Sequence, residues 1–493
     1  MLRKLRIALA TLFFVGITLL FLDFTGLMHV YLGWMAKIQF WPAVIGLSIV
    51  PLLFVLLLTL LCGRIYCSVI CPLGVMQDVI ARIGRIGRRN PYSFSKEKKV
   101  LRYIFLALML VAIPFGLTGL LDPYSAFGRI ANTLFRPLWI LGNNALAGMA
   151  EHYESYLFYR ADILLTTGVT LIVAVVTLVV VAILAGKNGR TYCNTICPVG
   201  TILGFFSRFS YFKIAIDTDK CRNCGKCAKN CKAACIDVKN HRIDYSRCVV
   251  CGDCIERCEF DALAYCKPTK NAQTSTEPAT EKTNDAGRRG ALVTMAMATT
   301  AAALAQEKKK LDGGLAVIED KQMPERQTRI LPPGAKSDKH FHHHCTACQL
   351  CVSACPNKVL RPSTEMNSFM QPYVSYEDGY CRPECHACSD VCPAGALHKM
   401  EPEVKVSTQI GRAVVIKKNC LAANGTAQCG NCERHCPSGA IQMVKVNPDD
   451  ENSPKMPTVD ETRCIGCGAC ENLCPSRPFS AIYVEGLETQ KEI

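Results

Sequence analysis

The sequence predicts a bundle of four membrane-crossing helices joined to small α+β domains that are built around cysteines. Four apolar runs, at 7–22, 41–61, 103–121 and 163–185, each approach the ~20 residues that cross a bilayer as a helix. The 31 cysteines of the 493-residue chain fall almost entirely in short-spaced groups. Such groups indicate bound clusters rather than a framework of disulfides.

The distribution of basic residues predicts the orientation of the bundle. The connection 82–102 carries eight Lys and Arg against one acid, whereas 23–40 and 122–162 are close to neutral. The positive-inside rule therefore places the N-terminus in the cytoplasm and returns the chain to the cytoplasm at Lys187. This topology also accounts for the net charge of +15, and no basic stripe with interleaved aromatics indicates nucleic acid.

Two cysteine pairs lie at helix ends within 1–200, the predicted membrane domain. They share the frame G-R-x-Y-C-x3-C-P-[LV]-G, which occurs once per helical hairpin. Because the pairs repeat at matched depth, we expect them to converge on one cofactor-binding site, which could hold a metal, a cluster or a dithiol pair. The four cysteines are Cys67, Cys71, Cys193 and Cys197.

Residues 217–266 contain two runs of the form C-x2-C-x2-C-x3-C. This spacing wraps a [4Fe–4S] cluster in bacterial-type ferredoxins, and the fourth cysteine ligates the neighbouring cluster. It predicts a two-cluster ferredoxin domain, with Cys258 completing the first cluster and Cys231 the second, and Cys235 as the alternative to Cys231. The predicted ligands are Cys221, Cys224, Cys227, Cys231, Cys248, Cys251, Cys254 and Cys258.

Residues 340–486 contain four further groups that all end in C-P, which predicts a four-cluster double ferredoxin unit. A zinc site uses two C-x2-C pairs separated by a longer loop, and disulfide frameworks do not space cysteines this tightly. We expect nested pairing, first run with fourth and second with third, so that an outer fold encloses an inner one. The predicted ligands are Cys345, Cys348, Cys351, Cys355, Cys381, Cys385, Cys388, Cys392, Cys420, Cys429, Cys432, Cys436, Cys464, Cys467, Cys470 and Cys474.

The two cluster regions are joined by a polar linker, 267–287, and a mildly apolar segment, 288–305. The segment begins with Arg288 and Arg289 and ends in an A-x-A pattern, which is similar to a twin-arginine export signal. Its alternatives are an anchor or an Ala-rich linker helix. Export would place the C-terminal unit in the periplasm.

The motifs Cys67-x3-Cys71-Pro72 and Cys193-x3-Cys197-Pro198 resemble those of NapH/MauN membrane ferredoxin-type proteins, over 1–266. The four C-terminal runs resemble those of NapG/MauM proteins, over 288–486. The resemblance implies a multi-pass inner-membrane protein that takes electrons from quinol in anaerobic respiration. About six [4Fe–4S] clusters would carry them to a periplasmic redox partner, such as a cytochrome c or a reductase.

Two other functions fit the same residues. One is a redox maturation or assembly factor for a respiratory enzyme, and the other is a cytoplasmic polyferredoxin that reduces the quinone pool. Whether the chain oxidises quinol itself or only carries electrons is open. No catalytic residue is assigned, because the sequence has no Walker loop, dinucleotide fingerprint or Ser/His/Asp signature.

Overall fold

The computed structural model describes residues 2–85, 92–155, 158–162, 167–267, 321–450 and 453–493. The predicted linker and twin-arginine segment lie outside these residues, apart from Lys267.

The described residues up to Ser207 are mostly helical. The helices are α1 (Leu2–Leu22), α2 (Leu27–Leu32), α3 (Trp34–Lys37), α4 (Phe40–Ile45), α5 (Ile49–Cys62), α6 (Ile65–Val69), α7 (Pro72–Ile83), α8 (Lys99–Ala112), α9 (Pro123–Ile130), α10 (Arg136–His152), α11 (Gly168–Asn188), α12 (Thr191–Thr195) and α13 (Pro198–Ser207). A 3-10 turn, Thr118–Leu120, precedes α9, and a π-helical turn, Ala131–Phe135, follows it.

The observed helices differ in length from the four predicted spans. In the part of the chain that the structure describes, two helices, α1 and α11, are long and apolar enough to cross a membrane. The run 41–61 is divided between α4 and α5 at Leu47, whose φ of 48° leaves the right-handed helical region. The run 103–121 stops being helical after Ala112, just before Pro114, which cannot continue a helix interior.

The N-terminal ferredoxin unit, 213–266, contains two small antiparallel sheets. Its outer strands, β1 (Lys213–Ile216) and β4 (Leu263–Cys266), pair with each other, and an inner hairpin joins β2 (Ile236–Asp237) to β3 (Arg242–Ile243). One-turn helices follow the second cysteine of each run, at Lys226–Lys229 and Asp253–Glu256.

The C-terminal region repeats this architecture. The strands β5 (Leu360–Pro362) and β6 (Pro372–Val374) form a hairpin between the first two cysteine runs. Then β7 (Thr408–Val415) pairs with β10 (Ile482–Glu492), and β8 (Ile441–Lys445) with β9 (Lys455–Val459), as β1 to β4 do. Short helices lie at Asp338–His344, Leu350–Ala354, Ala387–Asp390, Pro402–Ser407, Asn431–Arg434 and Ala469–Asn472, with 3-10 turns at Met366–Ser368 and Lys417–Asn419.

The two cluster regions pack against opposite ends of α1. At its start, Arg3 Nε lies 2.9 Å from Asp253 Oδ1 of the N-terminal unit. Near its end, Phe21 packs beside Gly128, where a Cβ atom would lie 2.4 Å from the carbonyl oxygen of Cys348. At ~1.5 Å per residue, the 21-residue α1 is roughly 31 Å long. The helices therefore separate the two regions by about the thickness of a bilayer core.

The hydrophobic cores divide differently from the sheets. Phe21, Tyr124 and Phe127 of the helices share one continuous core with Leu350 of the C-terminal region. The N-terminal unit has a core of its own, which includes Ile214. The C-terminal region is thus seated on the bundle by apolar packing.

Candidate iron–sulfur sites

Four of the six ferredoxin-type runs share one loop conformation. The residues on both sides of the second cysteine have positive φ, between 49° and 78°. Consecutive turns of this kind gather backbone N–H groups into a concave surface, which is the surface that iron–sulfur sites use. The pairs are Asn223 and Gly225, Val250 and Gly252, Ala347 and Gln349, and Gly466 and Gly468. The stretched runs, 381–388 and 420–432, do not show this pattern.

The first site of the N-terminal unit matches the predicted pairing. One cavity is lined by Cys221, Cys224, Cys227 and Cys258, together with apolar residues and a few basic ones. Cys258 thus joins the first three cysteines across the unit, and Cys224 is exposed to solvent.

The second site contains five cysteines rather than four. Burial raises the pKa of Cys254, and Cys251, Cys248 and Cys231 raise it further, so these four thiols face one another. Cys235 lies behind them, with its Sγ 3.5 Å from Cys231 Sγ. Its hydrogen bond lowers the pKa of Cys231 to about 7 against the effect of burial. The lowered pKa of Cys231 agrees with its predicted role as the thiolate ligand, and Cys235 lies close enough to support it by a hydrogen bond.

In the C-terminal region, each cysteine run shares its last cysteine with the neighbouring run. Burial raises the pKa of Cys351, and Cys348, Cys345 and Cys392 raise it further. The fourth position of this first site is therefore Cys392. At the second site, Cys355 joins the second run, since one cavity is lined by Cys355, Cys381, Cys385 and Cys388.

The last two runs also exchange their fourth cysteines, Cys436 and Cys474. Burial raises the pKa of Cys467 to about 12, and Cys436 and Cys464 are among the charges that raise it. Burial likewise raises the pKa of Cys432 to about 11, with further increases from Cys429, Cys474 and Cys420.

The nested pairing expected from the sequence is therefore wrong. Cys474 does not join the run that begins at Cys345, and Cys436 does not join the run that begins at Cys381. The hairpin β5–β6 connects the first two runs, and β8–β9 connects the last two. Each short hairpin brings consecutive runs together, so that two complete two-cluster units follow one another along the chain.

The two C-x3-C-P motifs converge on one buried site in the helices. Burial raises the pKa of Cys197, and Cys193, Cys71 and Cys67 raise it further, which brings all four predicted cysteines together. Pro72 and Pro198 each begin a helix, α7 and α13, directly after the last cysteine of their motif. Proline suits this first helical position because its missing N–H would be unpaired there.

Arginine residues of the shared frame cross between the two motifs. Arg64 donates to the carbonyl oxygen of Cys193 at 3.2 Å, and Arg190 donates to the carbonyl oxygen of Cys67. Arg64 Nη2 also lies 3.8 Å from Cys67 Sγ, and Gln77 Nε2 lies 3.3 Å from Cys193 Sγ. Arg64, Arg190 and Gln77 were not among the predicted site residues, although the G-R of the repeated frame marks both arginines.

The candidate cluster sites form a continuous row through the molecule. Adjacent sites lie close enough for a thiolate of one to raise the pKa of a thiol in the next. This holds for Cys227 acting on Cys254, for Cys388 acting on Cys351 and for Cys381 acting on Cys467. Arg64 joins the helix site to the N-terminal unit through the carbonyl oxygen of Ser246, at 2.8 Å. On the other side of the helix site, Tyr192 and Arg129 stand between Cys193 and Cys348.

The residues around the thiols suit a bound [4Fe–4S] cluster. Backbone N–H groups donate to Cys345, Cys392, Cys436 and Cys474 over 3.3–3.5 Å, as they do to cluster-ligating sulfurs. In the part of the chain that the structure describes, no group of three or more His, Cys, Asp and Glu is arranged to hold a single metal ion. The cysteines are gathered instead in sets of four around a cavity, as at Cys221 and at Cys381.

Two family models match the chain. A 4Fe-4S binding domain matches 44–91 and 167–216, which include the two C-x3-C-P motifs. A 4Fe-4S dicluster domain matches 344–421 and 427–477. Iron–sulfur ferredoxin-type domains are therefore present in both the helical and the C-terminal parts.

Known proteins resemble about a third of the chain. The methylamine utilization ferredoxin-type protein MauM of Methylobacillus flagellatus is 32% identical over 170 residues, which are 33% of this chain and 70% of MauM. The ferredoxin-type protein NapG of Escherichia coli K12 is 32% identical over 176 residues, 33% of this chain and 75% of NapG. The chain belongs to the MauM and NapG family of ferredoxin-type proteins. NapF of the same E. coli strain, 28% identical over 156 residues, covers 31% of this chain and 85% of NapF.

The family membership establishes an iron–sulfur electron-transfer protein. A bound [4Fe–4S] cluster supplies the reversible uptake and release of one electron. The thiols would hold the clusters, the donor N–H groups and arginines would stabilise the negative charge on sulfur, and the apolar cores would limit the access of water.

Proposed function

We propose that the chain is an inner-membrane relay that conducts electrons from quinol, across the helices, to a redox partner protein. The predicted bundle of four membrane-spanning helices, the cytoplasmic N-terminus and a periplasmic C-terminal region are part of this proposal. The NapH/MauN-like interpretation of the first 266 residues is also part of it.

The observation that carries the proposal is the position of the two cluster regions on opposite ends of α1. A cytoplasmic polyferredoxin would have no reason to place a roughly 31 Å helix between them. Export of the C-terminal region by the segment that begins at Arg288 and Arg289 would agree with this arrangement. The side of the membrane is the point to be tested.

The four thiols among the helices lie between the two cluster regions and would form the central site of the relay. We assign a seventh [4Fe–4S] cluster to Cys67, Cys71, Cys193 and Cys197, supported by the 4Fe-4S binding domain that matches these motifs. Arg64 and Arg190 lie beside the thiols, Arg190 being also paired with Asp78, and both would stabilise thiolates in a buried setting. Electrons would otherwise have to cross the helices without a centre between the two regions.

The test uses the anaerobically purified full chain in liposomes with a reduced naphthoquinol as the electron donor. We expect the quinol to bleach the visible iron–sulfur absorption, and a Cys67→Ser and Cys193→Ser double variant to lose this while dithionite still bleaches it. A wild-type chain that dithionite reduces but quinol does not would contradict the quinol relay.

A second experiment tests the topology. In spheroplasts, external protease should digest the C-terminal region of the wild-type chain, and Arg288→Lys with Arg289→Lys should protect it. Protection of the wild-type region would overturn export and favour the cytoplasmic polyferredoxin.

A further inference from the structure

A cavity that is open to solvent lies between α1, α7 and the N-terminal ferredoxin unit, and no cysteine lines it. Along α1 it is lined first by Arg3 and Arg6 and then by Ile7 and Ala10. These positions are three and four residues apart, so they share one face of the helix. This face changes from basic to apolar within two turns.

The second wall, α7, has the same composition in the reverse order. Val75 and Val79 come first, and Arg82 follows one turn later, with Arg85 just beyond the end of the helix. Val79 is 45% exposed, in a helix whose other face is buried. Because α7 ends where α1 begins, the basic residues of both helices lie at the same end of the cavity.

The basic end carries more positive charge than its own carboxylates neutralise. Six cationic side chains line the cavity against two acidic ones. Asp78 is already held by Arg190 and Lys232, each at 2.7 Å, and by Arg6 at 3.1 Å, while Asp253 is held by Arg3 at 2.9 Å. Four positive charges therefore remain in excess.

Several of these cations have donors without acceptors. The guanidinium group of Arg6 donates to Asp78 through Nη1, but its buried Nε has no hydrogen-bond partner. The guanidinium groups of Arg82 and Arg257 have neither an ion pair nor a side-chain hydrogen bond to any residue that the structure describes. A buried donor without a partner is costly, which favours an anionic ligand with several acceptor oxygens.

We propose that this cavity binds an anionic phospholipid, with the phosphate headgroup on Arg6, Arg82 and Arg85 and the acyl chains along Ile7 and Val79. Basic recesses between helices at the cytoplasmic surface are known to bind acidic lipid headgroups. A free phosphate would fit the basic end but would leave the apolar walls uncovered. The inference rests on the membrane location proposed above.

The test measures lipid binding to the delipidated full chain in neutral detergent by native mass spectrometry. We expect phosphatidylglycerol to bind about tenfold more tightly than phosphatidylcholine, and an Arg82→Ala and Arg85→Ala double variant to lose that preference. The control is Lys98→Ala with Lys99→Ala, which removes two exposed lysines of the same basic connection and should retain the preference.

Three outcomes would overturn the proposal. They are equal binding of the two lipids, an equal loss in the lysine control, and displacement of the lipid by millimolar inorganic phosphate, which would identify a free-anion site. Cell fractionation distinguishes this failure from that of the proposed function. A soluble chain would overturn both, whereas a membrane-bound chain without a lipid preference would overturn only the lipid site.

Discussion

The N-terminal ferredoxin unit and the last two-cluster unit, 408–492, have the same strand order but different coverings. In both, the outer strands pair and an inner hairpin separates the cysteine runs. Cys224 of the first unit is exposed, whereas Cys464, Cys467, Cys470 and Cys474 of the last unit are all buried. Topology therefore positions the thiols, and residues outside the four strands decide how much water reaches them.

The covering of the last unit comes from earlier parts of the C-terminal region. Arg326 Nε donates to the carbonyl oxygen of Val484 at 2.8 Å, and the Tyr376 ring lies over Gly468. Because cluster potentials depend on solvent exposure, we expect the clusters of the N-terminal unit and those of the last unit to differ in reduction potential.

The largest expected effect separates two glycines that each follow the second cysteine of a run, one in each unit. A Cβ atom at Gly468 would lie 2.3 Å from the Tyr376 ring, whereas nothing lies within 4 Å at Gly225. Both have positive φ, so alanine costs about 1–2 kcal/mol at either position. Gly468→Ala should also displace the ring and lower the bound iron by about eight atoms, the content of two clusters.

Iron analysis of the purified variants checks this prediction, and Gly225→Ala is the matched control, which should keep its iron. Equal iron in both variants would show that the covering does not secure the last unit.

The next prediction tests the ligand assignment at the second site of the N-terminal unit. Cys231→Ser should remove about four iron atoms, because its thiolate faces Cys248, Cys251 and Cys254. Cys235→Ser should retain them, since a serine hydroxyl can still donate to Cys231. Iron content and the electron paramagnetic resonance spectrum of the reduced protein measure both. Iron loss confined to Cys235→Ser would reverse the assignment.

A smaller effect tests the polar support of the covered unit. Glu471 is 2% exposed, accepts a hydrogen bond from Val484 N at 2.7 Å and pairs with Arg326. Glu471→Ala would leave Arg326 buried without its partner, which costs about 3–5 kcal/mol. Thermal unfolding under anaerobic conditions should show a lower melting temperature.

The control for that variant is Glu259→Ala in the N-terminal unit, which removes an exposed pair with Lys226. Its melting temperature should not change, because solvent screens such pairs. A large shift in this control would mean that the exposed unit depends on its surface charges.

The parts that the sequence predicted are those set by local spacing. The first site of the N-terminal unit forms as the C-x2-C-x2-C-x3-C run requires, and the repeated C-x3-C-P frame brings Cys67 and Cys193 together. The partner of each fourth cysteine in the C-terminal region depends instead on which runs a hairpin joins, and β5–β6 is too short to stand out in the sequence. The crossing of Arg64 and Arg190 likewise depends on how two distant helix ends meet.

The smallest expected effect is that of mild acid on the docking of the N-terminal unit. Burial would raise the pKa of Asp78, but Arg190 and Lys232 hold it well below its usual range. A lowered pKa in the folded state gives a stabilisation that is present above the unfolded value of about 4 and is lost only as the pH falls through the folded value. Lowering the pH from 7 to 5 should therefore leave the Asp78 contacts intact.

Hydrogen exchange of the full chain measures this docking at both pH values, after correction for the intrinsic rate. The N-terminal unit should stay equally protected at pH 5, and Asp78→Asn should lose protection there already at pH 7, because Arg190 and Lys232 would lose their shared carboxylate. The C-terminal region provides the reference, since backbone contacts such as Gly119 against Thr346 seat it on the helices without a carboxylate. Loss of protection at pH 5 in the wild-type N-terminal unit alone would show that a group with a higher pKa than Asp78 controls the contact.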